Sequence, residues 1–115
     1  MSDFDLLTVA SSGMQAQRAA LDIAARNVAA AQAAGPGGNY EREVPEFAVV
    51  RDAMDQEDGA QGITFMGSHR EKGSSVDLLT EMVSVMNASR AYEANASVFD
   101  LGKRLAERTI DLGRL

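Results

Sequence analysis

The sequence predicts a mainly α-helical protein, in which two long terminal helices form an antiparallel coiled-coil hairpin and an irregular middle segment contains a short β-hairpin. Three observations predict this. Apolar residues recur at helical spacing at both ends, a glycine- and proline-rich turn follows the first of these stretches, and the polar middle holds two short strand-like runs. We divide the chain into an N-terminal helix at 1–34, a middle segment at 35–73 and a C-terminal helix at 74–115. Both ends together form one domain.

The N-terminal helix, which Ser2 or Asp3 can cap, has two neighbouring apolar faces. The first face keeps heptad spacing and consists of Leu7, Ala10, Met14, Gln17, Leu21, Ala24, Val28 and Ala31. The second face consists of Leu6, Val9, Gly13, Ala16, Ala20, Ile23, Asn27 and Ala30. A glycine inside a helix costs about 1 kcal/mol relative to alanine, so Gly13 indicates either a close approach of another backbone or a tolerated glycine. The remaining polar face is either solvated or an intersubunit contact, and it carries Arg18, Asp22 and Arg26.

The first helix ends where Ala34 meets Gly35, because glycine adopts the left-handed C-cap conformation and Pro36 cannot continue the helix. The middle segment then carries strand-like runs at 47–50 and 63–66, with Asp58-Gly59 as the turn signal between them. Two strands alone are only marginally stable, so we expect this hairpin to become ordered against a neighbouring molecule.

The middle segment predicts no metal, cofactor or catalytic site. Its acidic residues lack the spacing of an EF-hand calcium loop, and they are Asp52, Asp55, Glu57 and Asp58. His69 lies in a polar linker, without a second histidine or a cysteine to share a metal and without a nucleophile beside it. We therefore expect a protein that is not an enzyme and needs no cofactor.

The C-terminal helix opens at a capping box formed by Ser74 and Asp77. Its first apolar face alternates steps of four and three, as in a coiled-coil seam, and consists of Leu78, Met82, Val85, Ser89, Tyr92, Ala96 and Phe99. A second face lies beside it and consists of Ala94, Val98, Leu101, Leu105, Leu112 and Leu115. At about 1.5 Å per residue this helix is about 55–60 Å long, too long for a 115-residue domain to wrap. We expect other helices or subunits to cover the apolar surface of this helix that the domain itself leaves exposed.

Composition excludes several classes of protein. The formal net charge of −6 argues against a nucleic-acid or acidic-membrane binder, because both need a concentrated basic face. No apolar run approaches the about 20 residues that span a bilayer, and the N-terminus lacks the basic start of a Sec signal peptide. These features alone predict a cytosolic protein that is not inserted in a membrane. The absence of cysteine is compatible with any compartment.

Motifs at both ends resemble those of flagellar rod and hook axial proteins. At the N-terminal end they are Ser12-Gly13-Met14-Gln15-Ala16-Gln17-Arg18, then Leu21-Asp22, then Asn27-Val28-Ala29. At the C-terminal end they are Val76-Asp77, Glu81-Met82-Val83 and Ala88-Ser89-Arg90-Ala91-Tyr92-Glu93-Ala94-Asn95. The C-terminal motifs are the more specific, and the matching parts cover about two-thirds of the chain.

The resemblance implies a structural subunit of the bacterial flagellar basal-body rod, in its proximal part, that is needed for motility. It implies export without a cleaved signal peptide through the flagellar type III apparatus, and assembly in the periplasm with copies of itself and other rod proteins. This revises the cytosolic expectation; the alternative is a cytosolic helical-hairpin adaptor or secretion chaperone. We expect Arg90 to form an intersubunit ion pair, and Asn27 and Asn95 to hydrogen-bond across helices. The candidate residues of the helix–helix and assembly interface are Leu7, Met14, Leu21, Asn27, Val28, Leu78, Met82, Val85, Arg90, Tyr92, Asn95, Phe99 and Leu105.

Overall fold

The computed structural model describes residues 3–51 and 61–113, which form two helices and a two-stranded antiparallel sheet. The elements in chain order are α1 (Asp3–Ala34), β1 (Asn39–Arg51), β2 (Gln61–Ser74), a 3-10 turn (Ser75–Asp77) and α2 (Leu78–Gly113). The chain measures 67 × 26 × 13 Å and its radius of gyration is 18.4 Å. A compact domain of this length has a radius of gyration of about 13 Å. The molecule is therefore a long, thin slab with much of its apolar surface near solvent.

The two helices lie side by side in opposite directions, because their contacts pair the start of α1 with the end of α2. A Cβ atom placed on Gly102 would lie 3.3 Å from Leu6 and 3.2 Å from Leu7, and one placed on Gly13 would lie 2.7 Å from Asn95. The buried residues of the pair are mainly alanines: Ala10, Ala16, Ala24, Ala31, Ala88 and Ala106. Small side chains allow two helices to approach closely. At Gly13 the neighbouring group is the side chain of Asn95 rather than another backbone.

The first helix ends at the predicted residue, whereas α2 begins at Leu78, four residues after the predicted start of the C-terminal helix. Helix α1 ends at Ala34, and Gly35 and Gly37 follow with φ of 71° and 74°, in the left-handed region. The Ser74 backbone N–H donates to the Asp77 carboxylate at 2.9 Å, which confirms this half of the capping box, although the first turn is a 3-10 turn. Ser2 and the two C-terminal residues, Arg114 and Leu115, lie outside the described residues.

The middle segment is more regular than the sequence predicts. The predicted β-hairpin is confirmed, but its strands have 13 and 14 residues and pair from Asn39↔Ser74 to Arg51↔Gln61. The expectation of an otherwise irregular segment around the runs 47–50 and 63–66 was therefore wrong. His69 belongs to β2 rather than to a linker. The predicted turn at Asp58-Gly59, and the acidic residues Asp52, Asp55, Glu57 and Asp58, lie outside the described residues.

Ion pairs across the strands explain the longer hairpin, because they stabilise a polar stretch in which no apolar alternation is visible. Arg70 forms an ion pair with Glu41 at 2.7 Å and Arg42 forms one with Glu71 at 2.9 Å. The His69 ring lies within hydrogen-bond distance of Glu46, at 2.8 Å. Opposite charges on paired strands each contribute a few tenths of a kcal/mol or more. The hairpin is thus a charged ribbon near its base and an apolar one near its tip.

The hairpin lies along α1 and covers its second apolar face. The Asn27 side chain accepts a hydrogen bond from the Glu43 N–H and donates one to the Glu43 carbonyl, both at 2.8 Å. Nearer the tip, the Ile63 N–H donates to the Ser12 hydroxyl at 3.2 Å. The hairpin therefore packs on α1 of its own chain, and ordering of the hairpin by a neighbouring molecule stays a prediction. Ile23 and Asn27, on the second face of α1, are buried.

Candidate assembly surface

Buried alanines lie at the centre of the contact between the helices. The larger residues of the predicted seam are half-buried beside them. The half-buried seam residues of α1 are Leu7, Met14, Leu21 and Val28. Those of α2 are Leu78, Val85, Tyr92, Asn95 and Phe99. Met82, Arg90 and Leu105 are exposed. Most of the predicted interface residues are therefore half-buried, and Met82 lines the groove between the helices together with Val28 and Val85. The contacts of these residues with other subunits stay a prediction.

The two asparagines of the predicted interface have different surroundings. Asn27 hydrogen-bonds β1, so the prediction that it bonds across the helices was wrong. Its amide instead hydrogen-bonds the backbone N–H and carbonyl of Glu43, the groups that a neighbouring strand would otherwise pair with. Asn95 donates to the Ala91 carbonyl of its own helix at 2.9 Å and packs against Gly13. Each side chain thus fixes how one element lies against α1.

A buried carboxylate links α2 to the hairpin, and the sequence reasoning missed it. Glu81 is 0% exposed; it accepts a hydrogen bond from the Tyr40 hydroxyl at 3.1 Å and an ion-paired one from the Arg42 guanidinium. Its other carboxylate oxygen has no hydrogen-bond partner among the described residues. Glu81 lies three residues after Leu78 and four before Val85, which places it on the buried side of the helix, but the local sequence does not indicate its partners.

Burial and ion pairing raise the pKa values of two side chains in this cluster. Burial, reinforced by the Glu81 carboxylate, raises the pKa of Tyr40 above its ordinary value. The hydrogen bond to Glu81 is the largest cause that raises the pKa of Arg42, which therefore stays charged. An ion pair of this kind is costly to break, because removing one partner leaves the other charge buried and alone.

An exposed apolar surface lies on the side of α2 that faces away from α1. We call it the outer stripe, and it consists of Ala94, Val98, Leu101, Leu105 and Leu112. Leu101 is 53% exposed and Leu112 is 64% exposed. These residues are the second face predicted for the C-terminal helix, except Leu115, which lies outside the described residues. Contiguous exposed apolar patches on soluble proteins usually mark interaction sites.

A second apolar surface lies in the groove between the helices. It has a volume of about 380 Å³ and is lined by Ala25, Val28, Met82, Val85 and Met86. A third surface lies near the hairpin tip, where the rings of Phe47 and Phe65 meet edge to face with centroids 6.2 Å apart. Their neighbours Val49 and Ile63 are also exposed. The slab therefore offers apolar surface on more than one side.

Charged residues surround these surfaces without forming a single basic or acidic face. Arg104 pairs with Asp100 of its own helix at 2.8 Å, and Arg26 pairs with Glu43 at 3.0 Å. Across residues 3–51 and 61–113, no group of three or more histidine or acidic side chains is placed to hold a metal ion. The same stretches contain no helix with the length and hydropathy of a membrane span.

Comparison with known proteins identifies the class of protein to which this chain belongs. Residues 69–112 match the family model described as the flagellar basal body rod FlgEFG protein C-terminal region. The chain is 31% identical over 134 residues to the flagellar basal-body rod protein FlgC of Yersinia enterocolitica, covering 99% of this chain and 100% of that protein. It is 28% identical to FlgC of Salmonella typhimurium over 134 residues, with 99% and 100% coverage. It is also 28% identical to FlgC of Aquifex aeolicus over 130 residues, with 96% and 97% coverage.

These similarities place the chain among the flagellar basal-body rod proteins. Within that class, it belongs to the FlgC family. The alignments extend over more positions than the 115 residues of this chain, so the relatives carry residues that this chain lacks. The resemblance noted from the terminal motifs is confirmed.

Proposed function

We propose that this chain is a structural subunit of the proximal part of the flagellar basal-body rod, where it stacks helically with copies of itself and with other rod proteins. In the rod its helices would form an antiparallel coiled-coil hairpin. The observation that carries the proposal is the exposed outer stripe, a face as apolar as a core face that no described part of the chain covers. Neighbouring rod subunits are the partners that would cover it, through contacts that do not close into a ring.

The proposed work of the subunit is mechanical. Two antiparallel helices of 32 and 36 residues, about 48 and 54 Å long, that pack through small side chains resist bending and twisting. A stack of such slabs would transmit torque along the rod. It would also leave a central channel for exported chains. Loss of the subunit would then abolish flagellum-dependent motility.

We also propose that the chain is exported unfolded through the flagellar type III apparatus, without a cleaved signal peptide, and assembles in the periplasm. The small core supports this proposal. Most of the buried apolar residues are alanines, and the largest fully buried side chain is Glu81. A domain that buries so little large apolar surface is only marginally stable, so it unfolds readily before export and gains stability from its neighbours.

The predicted interface residues would then have two roles. The residues proposed to hold the two helices together are Leu7, Met14, Leu21, Val28, Leu78, Val85, Tyr92, Asn95 and Phe99. Asn27 instead holds the hairpin on α1. The residues proposed to contact neighbouring subunits are Met82, Arg90 and Leu105, and an ion pair between subunits is the proposed role of Arg90.

A cytosolic helical-hairpin adaptor or secretion chaperone is the alternative function. The docking of the β-hairpin on α1 favours it, because this contact gives a single chain a more complete fold than two bare helices would have. A stable folded dimer in the cytosol, with rods assembling normally in its absence, would support the adaptor over the rod subunit.

A pair of matched substitutions tests the proposed function. Leu101→Asn places an amide on the outer stripe, whereas Glu107→Asn places the same side chain at an exposed position of α2 away from that stripe. Incorporation into isolated basal bodies should fall at least tenfold for Leu101→Asn and stay normal for Glu107→Asn. Equal incorporation of both variants, or absence of the wild-type protein from basal bodies, would contradict the proposal.

A further inference from the structure

The β-hairpin is interrupted by a β-bulge near its middle. The strand register shifts between Glu46 and Phe47. Opposite them, Gly67 and Phe65 have pairing partners and Met66 is an extra residue of β2. Gly67 has a φ of 116°, in the range that favours glycine, and a bulge disrupts the ladder locally and bends the strand. We call the two parts of the hairpin the proximal half, residues 39–46 and 67–74, and the distal half, residues 47–51 and 61–66.

Buried polar contacts hold the proximal half against both helices. Asn27 on α1 is 3% exposed and makes two hydrogen bonds with the Glu43 backbone, both at 2.8 Å. Tyr40 donates to Glu81 on α2, and the Arg42 guanidinium pairs with the same buried carboxylate. Buried hydrogen bonds and ion pairs are costly to break. The proximal half therefore stays in place on the helices.

The distal half packs loosely on the N-terminal part of α1. A cavity of about 270 Å³ is lined by Val50 and Thr64 on the hairpin and by Val9 on α1. Val50 is 47% exposed although it lines this cavity. Atoms that line a cavity lack the dispersion contacts that close packing would give. Packing therefore holds the distal half on α1 only weakly.

A hydrogen bond between the distal half and α1 can open at little cost. The Ile63 N–H donates to the Ser12 hydroxyl at 3.2 Å, and that hydroxyl donates to the Val9 carbonyl at 2.8 Å. Ile63 is exposed, so its N–H can bond water when the contact opens, and Ser12 keeps its hydrogen bond within α1. Neither group is left buried without a partner, which is the situation that makes a lost hydrogen bond expensive.

We propose that the distal half of the hairpin is a flap, which turns about the bulge at Met66 and Gly67 to open and close over the N-terminal part of α1. The proximal half stays fixed and serves as its base. In the closed state the flap lies over Val9 and Ser12. In the open state this part of the second face of α1 becomes accessible to a neighbouring molecule. The motion takes place within one chain, so it does not depend on the proposed rod function.

A designed disulfide can lock the flap in the closed state, and the wild-type chain has no cysteine that would interfere. A Cβ atom placed on Gly62 would lie 3.4 Å from the Ser12 Cβ, close to the mean separation of about 3.8 Å in disulfides. The double variant Ser12→Cys with Gly62→Cys should therefore form a disulfide within the chain on oxidation. The same variant in its reduced form is the matched control, and mass spectrometry verifies both oxidation states.

NMR relaxation dispersion measures the motion, because hinge motions of this kind take place in microseconds to milliseconds. Trimethylamine N-oxide in the buffer favours the folded chain. Backbone amides of the distal half should show exchange in the wild type and in the reduced variant, and oxidation should abolish it. Amides of the proximal half, such as those of Glu43 and Arg70, should show no exchange in any of the three. Distal exchange that persists after oxidation, no distal exchange in the wild type and the reduced variant, or equal exchange in both halves would overturn the flap.

A variant that lacks Met66 tests whether the bulge is the hinge. Its strands would pair without interruption, with Gly67 still opposite Glu46 and Phe65 still opposite Phe47. Because the register on both sides of the bulge is kept, the distal half presents the same face to α1. The distal exchange should be lost in this variant without any disulfide. Exchange equal to that of the wild type would contradict a flap that turns about the bulge.

Discussion

The side chain of Asn95 on α2 occupies the space beside Gly13 on α1, so closely that a Cβ atom on Gly13 would lie 2.7 Å from its Oδ1 and 2.8 Å from its Cγ. The hydrogen bond from Asn95 to the Ala91 carbonyl holds this side chain in place. This contact between Gly13 on α1 and Asn95 on α2 therefore fixes the register of the two helices.

Replacing Gly13 by Ala should destabilise the chain, although alanine is the better helix former by about 1 kcal/mol. The added methyl group overlaps Asn95, and overpacking of this kind costs about 1–3 kcal/mol. We expect thermal denaturation followed by circular dichroism to show a lower Tm for Gly13→Ala. In an Asn95→Ala background the methyl group has room, and the same substitution should raise the Tm. A higher Tm in both backgrounds would mean that the helices do not meet there.

Breaking the ion pair between Arg42 and Glu81 should lower the free energy of unfolding more than replacing both residues by apolar ones. Arg42→Met leaves a buried carboxylate unpaired, and breaking such a pair typically costs about 3–5 kcal/mol. The double variant Arg42→Met with Glu81→Leu removes both charges and should recover most of that loss. Urea denaturation measures the difference, with trimethylamine N-oxide to refold a variant that is unfolded without urea. Equal stability of the single and double variants would contradict the buried pair.

The raised pKa of Tyr40 predicts a loss of stability in alkaline solution. The native chain holds this phenolic proton to higher pH than the unfolded chain, so the contribution is fully present below the ordinary pKa of about 10 and is lost as pH rises through the raised value. Between about pH 9 and pH 11, the free energy of unfolding should fall more steeply for wild type than for Tyr40→Phe. Tyr92→Phe, which keeps Tyr40, should retain the wild-type slope. Three identical slopes would show that Tyr40 is not buried beside Glu81.

Two phenylalanines of different exposure test the seam between the helices. Phe99 is half-buried where α2 meets α1, so Phe99→Ala should cost about 2–3 kcal/mol, below the about 3–5 kcal/mol of a fully buried phenylalanine. Phe4 is largely exposed, and Phe4→Ala should change the free energy of unfolding by less than about 0.5 kcal/mol. Chemical denaturation of both variants gives the comparison. A neutral effect at Phe99 would mean that the seam is assigned to the wrong face.

The helices could be predicted because their signals are local. A left-handed glycine ends α1 after Ala34, and the Asp77 carboxylate accepts the Ser74 N–H where the second helical segment begins. The outer stripe was also visible, since apolar spacing in a helix shows which residues share a face. The family followed from terminal motifs, which lie in the same helices.

The hairpin and the buried carboxylate could not be predicted in the same way, because both depend on partners distant in sequence. The strand residues at the base of the hairpin are charged, and their pairing becomes favourable only once Arg70 lies beside Glu41. Glu81 breaks the apolar pattern of its helix, and the reason is Arg42, which lies 39 residues earlier. The partner predicted for Asn27 was wrong because an amide on a buried helix face can hydrogen-bond the edge of a strand as well as a second helix.

The central claim is that α2 carries apolar surface which only neighbouring subunits cover, and the density of this chain in an intact basal body tests it most directly. Electron cryomicroscopy at side-chain resolution should show another subunit within van der Waals contact of Val98, Leu101 and Leu105. Rod density that fits this chain but leaves those three residues facing solvent would contradict the claim. So would a rod in which no density fits the chain.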